Sequence, residues 1–404
     1  MSIRASIRKR TWNKGAVTRE AWVVDYTANG KRHLKTFAKQ AEAKSWLADL
    51  LPAIKAGTHV ADRDSITVDE AAGRWIAACE RGRDGGHPLE ESTVRHYRQH
   101  REHLKPLVGD VKLNALTKAR MEALRDDLLA QHSRPLARKI LTSFKSILLA
   151  GGAGPTVYHA ARAVKIKAAT GRYQEEVTCP EPSEVKAILV QADELARQPH
   201  KSRAKTWRRW RALVNTAVFT GMRQSELRGL RWVNVDLPEQ VIAVRERADE
   251  VGNLGPCKSR SGRRDIPIPA ALVSILKEWK VECPPGDFVF PNWQGNVESG
   301  ANVYSRCWAP LSVAAGVRQR KQGKDGQPMV DAAGAPVWEP KFTFHALRHF
   351  HASCLIADGA NPREVMEEMG HASIQITYDV YGHLFQEDGA GRRARADRLA
   401  AGLK

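Results

Sequence analysis

Two hydrophobic periods divide this chain. Near the N-terminus apolar side chains alternate, as in Trp22, Val24 and Tyr26, which is the pattern of a half-buried strand. From Thr67 onward they recur every three to four residues, the pattern of helices that each bury one face. A chain that changes period in this way folds as separate units, and 404 residues are too many for one ordinary core and predict two or three.

Residues 1–61 read as a small sheet with one helix. The turn pair Asn29-Gly30 joins the alternating run Ala21–Tyr26 to the run Arg32–Phe37 as a hairpin. Ala43, Trp46, Leu47, Leu50 and Leu51 mark a helix over 41–56 that Gly57 stops. Residues 66–170 read as a helical bundle. Thr67 and Glu70 form a capping box ahead of Ala71, Trp75, Ile76 and Cys79. Ser92 caps a helix carrying Val94, Tyr97 and Leu104, Thr117 caps one carrying Met121, Leu124 and Leu128, and Leu136, Ile140, Phe144 and Ile147 mark a fourth. The Gly-, Ala- and Lys-rich stretch 151–171 reads as a linker.

Residues 176–404 predict a mixed, mostly helical domain with a β-hairpin region around 241–268. Within it, Asp325-Gly326 and Gly334-Ala335-Pro336 signal an exposed hairpin or loop insertion over 318–337. The fold class is multidomain, mainly α with small β-sheets.

Charge narrows the choice of partner. Sixty-four Lys and Arg against 45 Asp and Glu leave a net charge of +19, a field that favours a polyanion. Arg4, Arg8, Lys9, Arg10, Lys31, Arg32 and Lys35 crowd the N-terminal sheet, so one of its faces can lie along phosphates. No apolar run approaches the roughly 18 residues of a membrane span. The basic N-terminus lacks an apolar segment behind it, so a secretory signal is not supported and a cytoplasmic location is expected. Six scattered cysteines without C-x-x-C spacing predict neither a disulfide framework nor a zinc site. There is no G-x-x-x-x-G-K loop and no carboxylate cluster, and no cofactor or metal is expected.

Five blocks carry groups suited to phosphate chemistry. Thr220–Leu227 breaks an apolar helix and places Arg223 near the start of a new one, with Leu227 and Leu230 inward and Glu226 three residues on to brace the guanidinium. The basic run Cys257–Arg264 puts Lys258 on a turn at the edge of strands, where Arg260, Arg263 and Arg264 are also candidate phosphate contacts. His345 and Arg348, three apart, share a helix face, while Leu347, Phe350, Cys354 and Leu355 mark a buried one. Gly370 ends a helix capped by Asn361-Pro362 with Val365, Met366 and Met369 inward, and His371 opens the next connection. On a last helix, which Ser373 can cap, Ile374, Tyr378 and Tyr381 fall at i, i+4 and i+7. His349, His351 and His383 lie close by and read as structural or DNA-facing.

The order Arg223, Lys258, His345 with Arg348, His371 and Tyr381 resembles the signature of the tyrosine recombinases, the phage integrase family. The resemblance is sharpest in 220–230, 345–353 and 370–384 and extends in broad form over 66–390. It implies an arm-type DNA-binding module over 1–61, a core-binding helical (SAM-like) domain over 66–170, and a catalytic domain with a C-terminal tail over 176–404. It implies a site-specific DNA recombinase that cleaves and rejoins strands through a 3′-phosphotyrosine, to integrate or excise a mobile element. Tyr381 is preferred over Tyr378 as nucleophile because it immediately precedes Gly382-His383-Leu384, as the family's nucleophile does.

In that role set, Arg223 and Arg348 give bidentate hydrogen bonds to the charged oxygens of a phosphorane, and His371 adds a further donor. His345 stands as general base and Lys258 as general acid. Because one phosphoester replaces another, the energy stays in the phosphotyrosine and neither ATP nor a metal is needed. The implied partners are double-stranded DNA at attachment sites, a homotetramer in the synapse with residues 389–404 on a neighbouring protomer, and an accessory excision or bending protein. Two other readings share these features, a type IB topoisomerase and a catalytically silent DNA-binding regulator. The arm-like module weighs against the first and the full set of polar side chains against the second.

Overall fold

Alternation builds the first sheet as expected. In the computed structural model β1 (Ala5–Lys14), β2 (Val17–Ala28) and β3 (Lys31–Phe37) pair antiparallel in that order, with Trp22 opposite Phe37 and Tyr26 opposite His33. The structure describes residues 5–14, 17–28, 31–55, 61–83, 85–167, 179–323, 326–385, 393 and 397–401. Helix α1 (Gln40–Lys55) lays Ala43 and Leu50 on Val24, Tyr26 and Ala28, with the Trp46 ring edge-on to Tyr26 at 5.5 Å. The Asn29-Gly30 turn and the stop at Gly57 lie outside the described residues.

A second core fills the bundle of α2 (Val68–Arg81), α3 (Glu91–Val108), α4 (Lys118–Gln131) and α5 (Arg134–Ala150). Thr67 and Glu70 close the reciprocal capping box, and Thr117 accepts from the Arg120 amide, each satisfying donors that a helix start leaves unpaired. Two expectations are corrected. Ser92 does not cap α3, because Glu90 stands at the N-cap and Ser92 lies inside the first turn. Nor is 151–171 simply a linker. Pro155, whose fixed φ suits the first helical position, opens α6 (Pro155–Ala163), and Ala161, Val164 and Ile166 are buried in the bundle core. Residues 168–171 lie outside the described residues.

The chain divides into two compact units, Met1–Arg172 and Tyr173–Lys404. In the second, α7 (Pro182–Arg197) and α8 (Lys201–Thr220) are followed by the short α9 (Gln224–Arg228). The expected β region resolves into β4 (Val235–Asp236), β5 (Val241–Val244), β6 (Glu246–Ala248), β7 (Leu254–Pro256) and β8 (Arg264–Pro267). The sheet order is β4-β5-β8, and β6-β7 form a separate hairpin, after which Lys258 stands exposed. Helix α10 (Ala270–Glu282) follows, then α11 (Gly300–Asn302), which runs through a π-helical stretch Val303–Trp308 into α12 (Ala309–Ala314). Trp210, Leu213, Val214, Trp279, Phe290 and Trp308 anchor this core.

Strands β9 (Arg318–Arg320) and β10 (Trp338–Pro340) pair antiparallel, so the 318–337 insertion is a hairpin, and Arg318 lies 4.4 Å over the Trp338 ring. The last helices are α13 (Ala346–Ala357), which packs on α8, then α14 (Pro362–Met369) and α15 (Ile374–Tyr381). Along α13, Leu347 and Ala352 are buried whereas Cys354 is exposed, which corrects the expected inward stripe. Ser373 stands at the N-cap of α15 without a side-chain capping bond. Of residues 389–404 only 393 and 397–401 are described. Among the described residues no helix is long and apolar enough to cross a membrane.

Candidate active site

The end of α14 gathers the site. Asn361 caps the helix through the amides of Arg363 and Glu364, and Gly370 closes it in the left-handed conformation, φ +64°. A Cβ at Gly370 would stand 2.9 Å from the Ser261 carbonyl, so only glycine admits both this backbone and this approach. The tight turn leaves the carbonyls of Met369 and Gly370 without helical donors, and two guanidinium groups satisfy them. Arg348 donates to the Met369 carbonyl and, at 2.7 Å, to that of Gly221, while Arg223 donates to the Gly370 carbonyl at 3.0 Å. The next residue is His371. Three consecutive residues therefore bring Arg348, Arg223 and His371 together.

Arg223 is the N-cap of α9, as the helix break at Gly221 predicts, and its amide donates to Glu226 at 3.0 Å. Glu226 also pairs with the Arg223 guanidinium at 2.8 Å, which is the expected brace. Its other oxygen binds Arg264 at 3.0 Å. Arg264 further donates to the carbonyls of Glu368 and Gly262, so it is an internal strut and not the exposed phosphate contact its neighbourhood allowed. Burial pushes the Glu226 carboxyl up, but Arg264 and Arg223 outweigh that and hold it below the usual carboxylate range.

Arg348 is 4% exposed; burial, then Arg223, presses its pKa down to about 9, so it remains cationic at neutral pH. His371, 7% exposed, is held by Thr377 Oγ1 at 2.9 Å from Nδ1, and burial followed by the nearby arginines pushes its pKa down to about 4. Its ring stacks on that of Tyr381, centroids 6.3 Å apart and 12° from parallel. Tyr381 is 1% exposed, and burial drives its phenol up, against the pull of Arg348. Tyr378 is 47% exposed and faces Phe385.

Of the two remaining expected members, His345 sits differently and Lys258 lies on the turn expected of it. His345 is the N-cap of α13 and stays exposed, so it flanks the helix that carries Arg348 and is not on it. Loss of solvent around the ring, then His349, Arg348 and Arg223, lower its pKa. Lys258 is exposed on the turn after β7, whose later residues Ser261 and Arg264 pack against Gly370. Among the described residues no group of three His, Cys, Asp or Glu is arranged to hold a metal.

The phage integrase family model matches residues 181–388, about half the chain and the whole of this constellation. The chain belongs to the phage integrase family. An XerC-like tyrosine recombinase from Caldanaerobacter subterraneus subsp. tengcongensis is 29% identical over 193 residues, 44% of this chain and 46% of that one. The chain thus spans about half the length of such relatives. An integrase from Streptomyces ambofaciens is 27% identical over 389 residues, 90% of this chain and 89% of that one. Among solved structures, the Tn1549 transposon integrase in complex with transposon right end DNA superposes with TM-score 0.59 at 18% identity, covering 83% of this chain and 100% of that one. A lambda integrase dimer bound to a core site gives TM-score 0.54 at 17% identity, covering 80% and 97%. At such identities the two structures establish a common fold.

Within this integrase site, three roles escaped the sequence reading, and a fourth residue, His351, serves structurally, one of the two readings given to it. Arg264, as strut, was indistinguishable from Arg260 and Arg263. Thr377 positions His371, and a threonine inside an amphipathic helix carries no signal of that. His351 bridges the Val218 carbonyl at 3.1 Å and Glu368 at 3.0 Å, which ties α13 to α8 and α14. His349, read as structural or DNA-facing, places Nδ1 2.8 Å from the Tyr381 hydroxyl. Its spacing of i+4 from His345 is the one hint the sequence offered.

Proposed function

We propose that this integrase cleaves and rejoins DNA strands at specific sites through a 3′-phosphotyrosine on Tyr381. The observation that carries the reading is the Met369–Gly370–His371 corner, where two guanidinium groups and an imidazole meet beside a buried phenol. The negative charge of a pentacoordinate phosphorane demands preorganised positive donors, and loss of one such donor typically costs about 100-fold to 1,000-fold. Arg223, part-exposed through its side chain, presents the reachable donor, Arg348 reinforces it from beneath, and His371 adds an N–H. Lys258, exposed on the adjoining turn, is assigned as general acid for the departing 5′-oxygen. Each step exchanges one phosphoester for another.

The same reading assigns 1–61 to arm-site binding, 66–170 to core-site binding and 176–404 to catalysis, with the basic face of β1–β3 along phosphates. It assigns double-stranded attachment sites as substrate, a tetramer as the synapse, a cytoplasmic location and a mobile element as the context. The names of relatives and neighbours support it: a transposon integrase with transposon-end DNA, and a lambda integrase tetramer bound to a Holliday junction.

Nicked suicide duplexes made from the DNA flanking the gene test it. The chain should become covalently attached to one of them, and Tyr381→Phe should bind the same duplex without attachment. Relaxation of plasmids lacking such a site would favour a type IB topoisomerase, and binding with no adduct a silent regulator.

A further inference from the structure

A buried phenol whose ionisation is suppressed needs an acceptor for its proton before it can attack phosphorus. The resemblance assigns that task to His345. The structure points elsewhere. Nδ1 of His349 lies 2.8 Å from the Tyr381 hydroxyl, with ring centroids 5.8 Å apart, whereas among the described residues no hydrogen bond joins His345 to that hydroxyl. His345 sits one helical turn earlier, its ring perpendicular to that of His349 and 5.0 Å away.

We propose that His349 is the proton acceptor for Tyr381 in strand cleavage and the proton donor to it in rejoining; this rests on the phosphotyrosine reading above. For the hydroxyl to donate to Nδ1, the ring must be the neutral tautomer with its proton on Nε2, which is the form this role requires. Burial, then the adjacent Arg348, lowers the His349 pKa and keeps that neutral form available. With Tyr381 only 1% exposed, bulk water is excluded from the competing role. In the forward step the Oη–H bond breaks and the proton passes to Nδ1. The Oη–P bond forms, the P–O5′ bond breaks, and the departing oxygen takes its proton from the general acid. Rejoining reverses each transfer, so charge and atoms balance. His345, freed of this duty, stands exposed at the N-cap of α13.

Two measurements on the full-length protein decide the matter. In ¹⁵N-histidine-labelled protein without DNA, the Nδ1 resonance of His349, assigned by its loss in His349→Gln, should be that of an unprotonated nitrogen and should shift in Tyr381→Phe. A proton-bearing Nδ1 would overturn the proposal. On nicked duplexes from the DNA flanking the gene, His349→Phe should bind as the wild type does but form the phosphotyrosine about 100-fold to 10,000-fold more slowly near neutral pH. The deficit should shrink as pH rises and a larger fraction of the phenol is already ionised. His349→Gln separates positioning from proton transfer, since its amide oxygen can hold the hydroxyl without taking the proton. Wild-type rates in His349→Gln, or an unchanged pH profile in His349→Phe, would overturn the assignment. An adduct in the wild type with no loss in His349→Phe sinks this inference alone, while no adduct in the wild type sinks the phosphotyrosine reading with it.

Discussion

Arg264 and Glu226 meet at 3.0 Å with both side chains almost wholly buried, 38 residues apart in sequence. The pair joins the strand that follows the Lys258 turn to the helix that starts at Arg223. The carboxylate also grips Arg223, so one anion sets the position of two cations.

Removing that anion leaves Arg264 buried without its partner. Glu226→Ala should therefore destabilise the second unit by about 3 to 5 kcal/mol, the cost of breaking a buried pair from one side. Chemical unfolding measures it. Because the Glu226 pKa is lowered on folding, its contribution is present above the ordinary carboxylate value of 4.5 and is lost as pH falls below that. The variant should lack this part of the acid limb.

Gly370 and Gly359 both have positive φ, +64° and +94°, but differ in surroundings. A Cβ at Gly370 meets the Ser261 carbonyl, and one at Gly359 meets nothing within 4 Å. Gly359→Ala should cost about 1 to 2 kcal/mol of backbone strain and leave covalent capture of nicked duplexes intact. Gly370→Ala should cost more in a melting experiment and also abolish capture, because it displaces the carbonyl that holds Arg223 and the start of His371. Equal effects at both sites would contradict the hub.

His371 is neutral in the fold, its pKa lowered from 6.5 to about 4. A histidine with a depressed pKa contributes stability above its unfolded value, lost as pH falls from 6.5 toward 4. His371→Gln should remove this residue's share of the pH dependence in unfolding curves measured across that window, leaving the shares of His345 and His349. Thr377→Val, which removes the Oγ1 partner 2.9 Å from Nδ1, should cost about 1 kcal/mol and slow capture without weakening DNA binding in a gel shift.

Tyr378→Phe should retain covalent capture, since that side chain stands half-exposed beside Phe385, whereas Tyr381 is buried against His371 and His349. Attachment that survives Tyr381→Phe but not Tyr378→Phe would exchange the two assignments.

The net charge of +19 predicts a steep ionic response. A chain that neutralises six or more phosphates should lose on the order of 1,000-fold in duplex affinity between 50 mM and 200 mM salt through counterion release. A flat response in a fluorescence titration would rule out backbone-dominated binding.

Much of this was legible in sequence because it depends on neighbours along the chain. Capping boxes at Thr67 and Asn361, the break that puts Arg223 at a helix start, and the glycine stop at Gly370 are local, and local sterics and unpaired amides dictate them. The helical or alternating burial that separates the sheet, the bundle and the mixed unit follows from the same short-range periodicity. The reading failed where a residue's fate depends on distant chain. Pro155–Ala163 looked like a linker until the bundle core received it, and His345 looked helical until the turn from Thr343 set it at the N-cap.

The order of Arg223, His345, Arg348, His371 and Tyr381 was thus a property of the sequence, and so was the family it resembles. Which imidazole touches the phenol, which arginine is a strut, and that the carbonyls of residues 369 and 370 knit the cluster were decided only by tertiary structure. These hydrogen bonds join residues from 21 to 147 positions apart and are fixed by how the helices and the β8 strand pack, and packing geometry has no signature in the spacing of residues along a chain.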